Sequence, residues 1–241
     1  MTTRLSALRL VAAIVSLAAT QVGAADWVVL GPSHETSIRP STRDDCTGGP
    51  LQANHDFTFE TAYGWDYWGA WPEPNGAFGE AFDLGAGTIV CGAYWLTYYP
   101  ALEVGTANLY VWEGGISGPP GAVVALVTDV AFDNIPLWPE VGENAVAIDH
   151  AVDGEFTIGY WPDWGPYPGE PGFFCAADES GPKGHPWTYV APGIGLPSGW
   201  QDPDVAFGDC RSLGIGLYFH EGLTPARGPT WGAVKSLFAT R

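Results

Sequence analysis

The sequence predicts an all-β chain, an antiparallel two-sheet β-sandwich of jelly-roll type, and three observations carry that prediction. Gly 33 and Pro 21 punctuate a 241-residue chain that also holds 12 Trp, 10 Tyr and 11 Phe, the profile of many short strands joined by tight turns. Several runs alternate with a period of two, whereas helical periodicity is almost absent. No repeat of blade length is visible, which argues against a propeller.

Taken in order, residues 1–24 read as a secretory signal peptide. Arg4 and Arg9 give a positive start, Leu10 to Ala19 a short apolar run, and Val22 to Ala24 a small-residue exit. The run falls well short of the roughly 20 residues needed to cross a bilayer, so the mature chain is expected to have no transmembrane segment. Residues 25–76 read as an N-terminal extension with an aromatic loop that packs on the sandwich, and residues 77–221 as the sandwich itself. Residues 222–241 read as a Pro/Gly linker and a short tail in which Trp231, Val234 and Phe238 fall at helical spacing.

Strands are expected at 77–84, 88–99, 107–113, 122–130, 145–152, 155–161, 172–177, 187–191 and 212–219. In SLGIGLYF (212–219), Leu213, Ile215, Leu217 and Phe219 share one face and Gly214, Gly216 and Tyr218 the other. In EFTIGYW (155–161), Phe156, Ile158 and Tyr160 oppose Thr157, Gly159 and Trp161. Asp153-Gly154 stands between two such runs, a signal for a tight antiparallel hairpin.

The formal charge is −18, and no Lys or Arg occurs between Arg43 and Lys183. That argues against nucleic acid and anionic membrane surfaces, both of which require a positive footprint. Four cysteines in an exported chain favour disulfides. Four cysteines allow three pairings that the sequence does not choose between; Cys175 with Cys210 is preferred, since both sit in the later strands, and Cys46 with Cys91 by default, with buried free thiols the alternative, and none has metal or redox spacing.

The sequence lacks the motifs of serine and zinc hydrolases, while a glycosidase carboxylate pair is defined by spatial separation and not by sequence. There is no G-x-S-x-G elbow, and His220-Glu221 lacks the second histidine of a zinc-protease helix. His34, His55, His150, His185 and His220 never fall at metal-ligand spacing. Calcium is the better ionic hypothesis, as a structural ion: Asp163 and Glu170 in one loop, and Asp202 and Asp204 in another, offer carboxylates beside turn carbonyls.

The stretch AYGWDYWGAWPEPNGAF (62–78) concentrates aromatic rings beside carboxylates. Pro72 and Pro74 suggest a loop or edge segment. Two readings stay open. The loop folds over one end of the sandwich and buries its rings. Alternatively Trp65, Tyr67, Trp68 and Trp71, with Trp161, Trp164 and Tyr167, form a platform for sugar faces, Asp66 or Glu73 accepting hydroxyl hydrogen bonds.

The order AFGEAF (77–82), CGAYWL (91–96), NLYVWEG (108–114) followed by GPPGAV (118–123), and GEFTIGY (154–160) resembles accessory β-sandwich domains of secreted bacterial proteins. The resemblance implies an appended, non-catalytic module and supplies no catalytic residues. The expected role is therefore binding of a glycan or a cell-surface protein outside the cell or at its envelope. A glycoside-active enzyme on a jelly-roll scaffold and a purely structural surface component are the alternatives.

Overall fold

The computed structural model describes residues 27–31, 36–41, 46, 49–65, 76–98, 106–162, 173–192 and 195–222. In chain order the strands are β1 (Trp27–Leu30), β2 (Ser37–Arg39), β3 (Leu51–Ala53), β4 (Thr61–Trp65), β5 (Phe78–Asp83), β6 (Gly87–Thr97), β7 (Thr106–Glu113) and β8 (Val123–Ala131). They continue with β9 (Glu140–Val152), β10 (Glu155–Pro162), β11 (Phe174–Asp178), β12 (Pro186–Val190), β13 (Gly199–Gln201), β14 (Ser212–Leu213) and β15 (Ile215–Glu221). One 3-10 turn, Pro203–Val205, is the only helical element among the described residues.

Two sheets result. A nine-stranded sheet runs β1-β4-β11-β6-β15-β3, with β14 on β11 and with β9 between β6 and β2. A six-stranded sheet runs β13-β12-β5-β10-β7-β8. All pairings between these strands are antiparallel except β2 with β9. Both alternating runs hold: Leu213, Ile215, Leu217 and Phe219 from one sheet meet Phe156, Ile158 and Tyr160 from the other in a single core. Leu109, Val111, Phe78 and Phe82 complete the contribution of the six-stranded sheet.

The turn at Asp153-Gly154 is present, with Gly154 at φ +85, but it does not make a hairpin. Val152 pairs with Gly87 in the nine-stranded sheet, whereas Glu155 pairs with Asp83 in the six-stranded sheet. The turn is an arch, because its two arms carry the chain from one sheet to the other and do not pair with each other. Antiparallel ladders between consecutive strands occur instead at β7 and β8 and at β12 and β13.

The nine-stranded sheet begins long before residue 77. β4 lies inside it, between β1 and β11, and all five of its residues are buried. The outer face of this sheet is covered by the chain's own early residues. Phe59 and Trp95 pack with Ala93, Val141 and Ala176, and Ile38 on β2 and Leu51 on β3 pack against them. Small residues make this possible: a Cβ on Gly214 or Gly216 would stand 2.9 Å or 3.2 Å from the Trp95 side chain.

The Cys46–Cys91 disulfide ties this covering segment to β6, as expected. The second expected bridge is absent: Cys175 and Cys210 are free thiols. Cys175 is buried in the core on β11, and burial pushes its thiol up to about 12 while the Tyr160 hydroxyl bonds to it. Cys210 lies in the turn before β14, where its thiol donates instead to the Ser212 carbonyl at 3.7 Å. At the rim, Arg39 on β2 and Glu140 on β9 form the one Lys/Arg–carboxylate ion pair among the described residues, at 2.9 Å. Among those residues no helix is long and apolar enough to cross a membrane.

Candidate functional site

The outward face of the six-stranded sheet is built by the side chains that alternate with the core. On β7, Ala107, Leu109 and Val111 point inward, so Asn108, Tyr110 and Trp112 point outward. By the same alternation Trp161 leaves β10, Trp187 and Tyr189 leave β12, and Trp200 leaves β13 on that side. Five of these rings touch in a closed circuit. Tyr110 stacks on Trp112 with centroids 5.0 Å apart, Trp112 meets Trp200 at 5.0 Å, and Trp200 meets Tyr189 at 5.5 Å. Tyr189 meets Trp161 at 4.9 Å, and Trp161 returns to Tyr110 at 6.1 Å.

Two glycines lay the floor beneath this circuit. Gly79 on β5 pairs with Gly159 on β10, which pairs in turn with Tyr110 on β7. A Cβ on Gly159 would stand 2.1 Å from the Phe78 carbonyl oxygen, and one on Gly79 would stand 2.8 Å from Thr157 and 3.7 Å from the Trp112 indole. Without those carbons Trp112 settles onto the backbone, and only 3% of it stays exposed. Tyr110, Trp161, Tyr189 and Trp200 remain half-buried around it. Trp187 is fixed beside them by its Nε1–H, which donates to the Gly115 carbonyl at 2.7 Å.

The centre of the face carries no charge: Gly79, Ala81, Thr157, Gly159 and Asn108 lie between the rings. Acidic groups stand at its margin. Glu155, whose carboxylate accepts from the Ser117 N–H at 2.9 Å and from the Ser117 hydroxyl, is held below its ordinary pKa by those bonds.

Directly behind Gly79, Glu80 points into the core and is fully buried. Its oxygens accept from Asn54 Nδ2 at 2.8 Å, the His185 N–H at 2.6 Å and the Leu213 N–H at 2.9 Å, so it joins the two sheets. Burial raises its pKa to about 7, against the pull of those donors. With its oxygens occupied and no exposed surface, Glu80 is a structural carboxylate and not a reagent for a substrate.

The expected site residues divide. Trp161 belongs to the outer ring circuit. Trp65 does not: it is buried in β4, rests on Phe207 at 5.0 Å, and donates from Nε1 to Thr188 Oγ1 at 2.8 Å. Its place in a sheet interior, bonded across to the opposite sheet, removes it from any exposed platform. Tyr67, Trp68, Trp71, Trp164 and Tyr167, with Asp66, Glu73, Asp163 and Glu170, lie outside the described residues. Asp202 accepts from the Asp204 N–H at 3.2 Å and so caps the 3-10 turn, while Asp204 is exposed. Among the described residues no three His, Cys, Asp or Glu side chains converge to hold a metal ion.

Tyr110, Trp112, Trp187, Tyr189 and Trp200 were missed as site residues, although the signal was available. NLYVW (108–112) alternates small and aliphatic residues with aromatic ones, and in a two-sheet fold both sets cannot face the core. His55 shows the contrasting case. It sits between Trp95 at 4.5 Å, Phe57 at 4.7 Å and Phe59 at 4.9 Å, and burial depresses its pKa to about 4. No family model, curated protein or solved structure matches this chain.

Proposed function

We propose that this is a non-catalytic, exported binding protein of jelly-roll type that takes uncharged carbohydrate on the outer face of its six-stranded sheet. The observation that carries this reading is the circuit of five aromatic rings over the Gly79–Gly159 floor, four of them half-buried and not sealed by the described chain. Aromatic faces offer apolar, polarisable surface that suits the C–H-lined faces of sugar rings, and Asn108 on the same face stands near to exchange hydrogen bonds with hydroxyls. The absence of charge at the centre of the face favours neutral sugars, and the −18 formal charge disfavours polyanions. The Cys46–Cys91 disulfide fits an oxidising compartment.

Affinity electrophoresis through neutral polysaccharides tests the reading. Trp161→Ala and Trp200→Ala should each reduce retardation by about three- to tenfold in apparent affinity, since an aromatic contact contributes about 0.5–1.5 kcal/mol beyond the area it buries. Retention that is unchanged in both variants, or none in the parent protein across neutral glycans, would remove the proposal.

A further inference from the structure

We infer that the outer face of the six-stranded sheet takes an internal stretch of a single, pliable neutral polysaccharide chain, laid across the strands from Trp200 on β13 to Leu126 and Val123 on β8. This rests on the carbohydrate reading above and adds to it the form of the ligand and the far end of the site.

Pairing registers carry the face beyond the ring circuit. Trp187, Gly79, Gly159, Tyr110 and Leu126 stand in one lateral row, each the direct partner of the next on β12, β5, β10, β7 and β8. Directly paired residues turn their side chains to the same side of a sheet, so Leu126 continues the face past Tyr110. Ala125 and Val127, on either side of Leu126, pack on the core, as alternation requires. Val123 pairs with Trp112, and the register shift there inserts Val124, which brings two residues three apart to one face. Leu126 and Val123 are 50% and 49% exposed. The crossing from β13 to β8 is about 24 Å wide, at about 4.8 Å between neighbouring strands.

Neither end of that crossing is closed by a further strand, since β13 and β8 each pair on one side only. A chain can therefore run past both edges, and the site reads the middle of a polymer and not its terminus. None of the six strands carries Lys or Arg. Asp83, Glu113 and Glu155 are gathered at one end of their strands, and Asp129 sits in a bulge where its N–H donates to Asn108 Oδ1 at 3.0 Å. The row from Trp187 to Leu126 is left uncharged, as a neutral chain requires.

The ring planes set the form of the ligand. Trp112 and Trp200 lie at 78° to each other, Trp200 and Tyr189 at 84°, Trp161 and Tyr189 at 44°, and Tyr110 and Trp161 at 59°. The strands beneath them rotate by roughly 20° at each step, about 100° from β13 to β8. A rigid crystalline plane touches only part of such a face, whereas a single chain free to turn about its linkages can follow it. Leu126 and Val123 then offer aliphatic contact to the C–H groups of the last sugar rings.

Binding isotherms on soluble glucan, mannan and xylan, on the trisaccharide and hexasaccharide of each, and on the crystalline solid of the polymer that is retained test the inference. Hexasaccharide and polymer should bind about tenfold or more tightly than the trisaccharide, because only the longer ligands cross the whole face, and the crystalline solid should retain little protein. Leu126→Asp and Val123→Asp should each weaken hexasaccharide and polymer by about three- to tenfold and leave the trisaccharide unchanged, with the melting midpoint in place. Leu126→Ala should act in the same direction to a smaller degree, which keeps the test decisive if the aspartates disturb β8. Reduction of the polymer's terminal aldehyde should change nothing. A trisaccharide bound as tightly as the polymer, a preference for the crystalline solid, indifference to the β8 substitutions, or binding lost on end reduction overturns the inference while leaving the ring circuit as a sugar site. Self-association abolished by Leu126→Asp would assign the β8 end to a second copy and overturn it as well. Retention by none of these glycans removes the carbohydrate reading and this inference with it, a result distinguishable from the others.

Discussion

The two outer faces of the molecule use the same device and reach opposite ends. On the nine-stranded sheet Trp95 lies against Gly214 and Gly216, and on the six-stranded sheet Trp112 lies against Gly79. In both places removal of a Cβ lets an indole settle on backbone. Trp95 then disappears under His55, Phe57 and Phe59, fastened by a disulfide, whereas the rings around Trp112 keep part of their surface. An aromatic residue on a sheet is thus sealed or left open according to what crosses it, which neither its own identity nor its alternation decides.

The largest test of this contrast is Trp95→Ala, which should cost about 3–5 kcal/mol in denaturant unfolding, as large-to-small changes in packed interiors do. Removing the fastener comes next: Cys46→Ala with Cys91→Ala should cost about 2–4 kcal/mol, given the 45-residue separation that the bridge closes. Full stability in that double variant would mean that the covering segment holds without it.

A pH measurement sharpens the comparison further. The folded pKa of His55, about 4, lies below its ordinary 6.5, so its contribution is complete above pH 6.5 and is lost as pH falls towards 4. Glu80 has the opposite sign: raised from 4.5 to about 7, it contributes fully below pH 4.5 and loses that contribution as pH rises through 7. His55→Asn should therefore remove an acid-side loss of at most about 3 kcal/mol, seen as a change in the wild-type-minus-variant difference between pH 6.5 and 4. A difference that does not vary with pH would show that the imidazole is not held neutral. The smallest effect belongs to the open face, where Trp200→Ala should cost less than about 2 kcal/mol, because a half-buried ring gives up only part of the stabilisation of a core one. A loss as large as that of Trp95→Ala would mean that Trp200 is core.

Most of the sheet structure was legible in the sequence because periodicity is a local property. The runs 155–161 and 212–219 grouped together the residues that share the core face, and the nine expected strands all have counterparts. The short strands β1 to β4 and β13 were not read, since three to five residues give alternation too little length to register. The Asp153-Gly154 signal located a turn but could not say which sheet each arm joins, a choice made by distant partners: Gly87 for Val152, Asp83 for Glu155. For the site, density of rings in 62–78 drew attention to Trp65, which the fold buries. The open circuit is assembled from four separated strands, so the chain shows only the local alternation of 108–112 and not which rings that alternation brings together.

Arg39–Glu140, the one Lys/Arg–carboxylate ion pair among the described residues, bears on how the fold responds to dissolved salt. A formal charge of −18 with so little pairing among the described residues means that the folded surface repels itself, and the buried Glu80 carboxylate is held by neutral N–H donors and not by a cation. Dissolved salt therefore acts on the two kinds of charge differently. Screening over a Debye length of about 10 Å at 0.1 M relaxes the surface repulsion, while the hydrogen bonds inside are untouched. The molecule should gain stability as ionic strength rises from low values, with the steepest gain below 0.1 M.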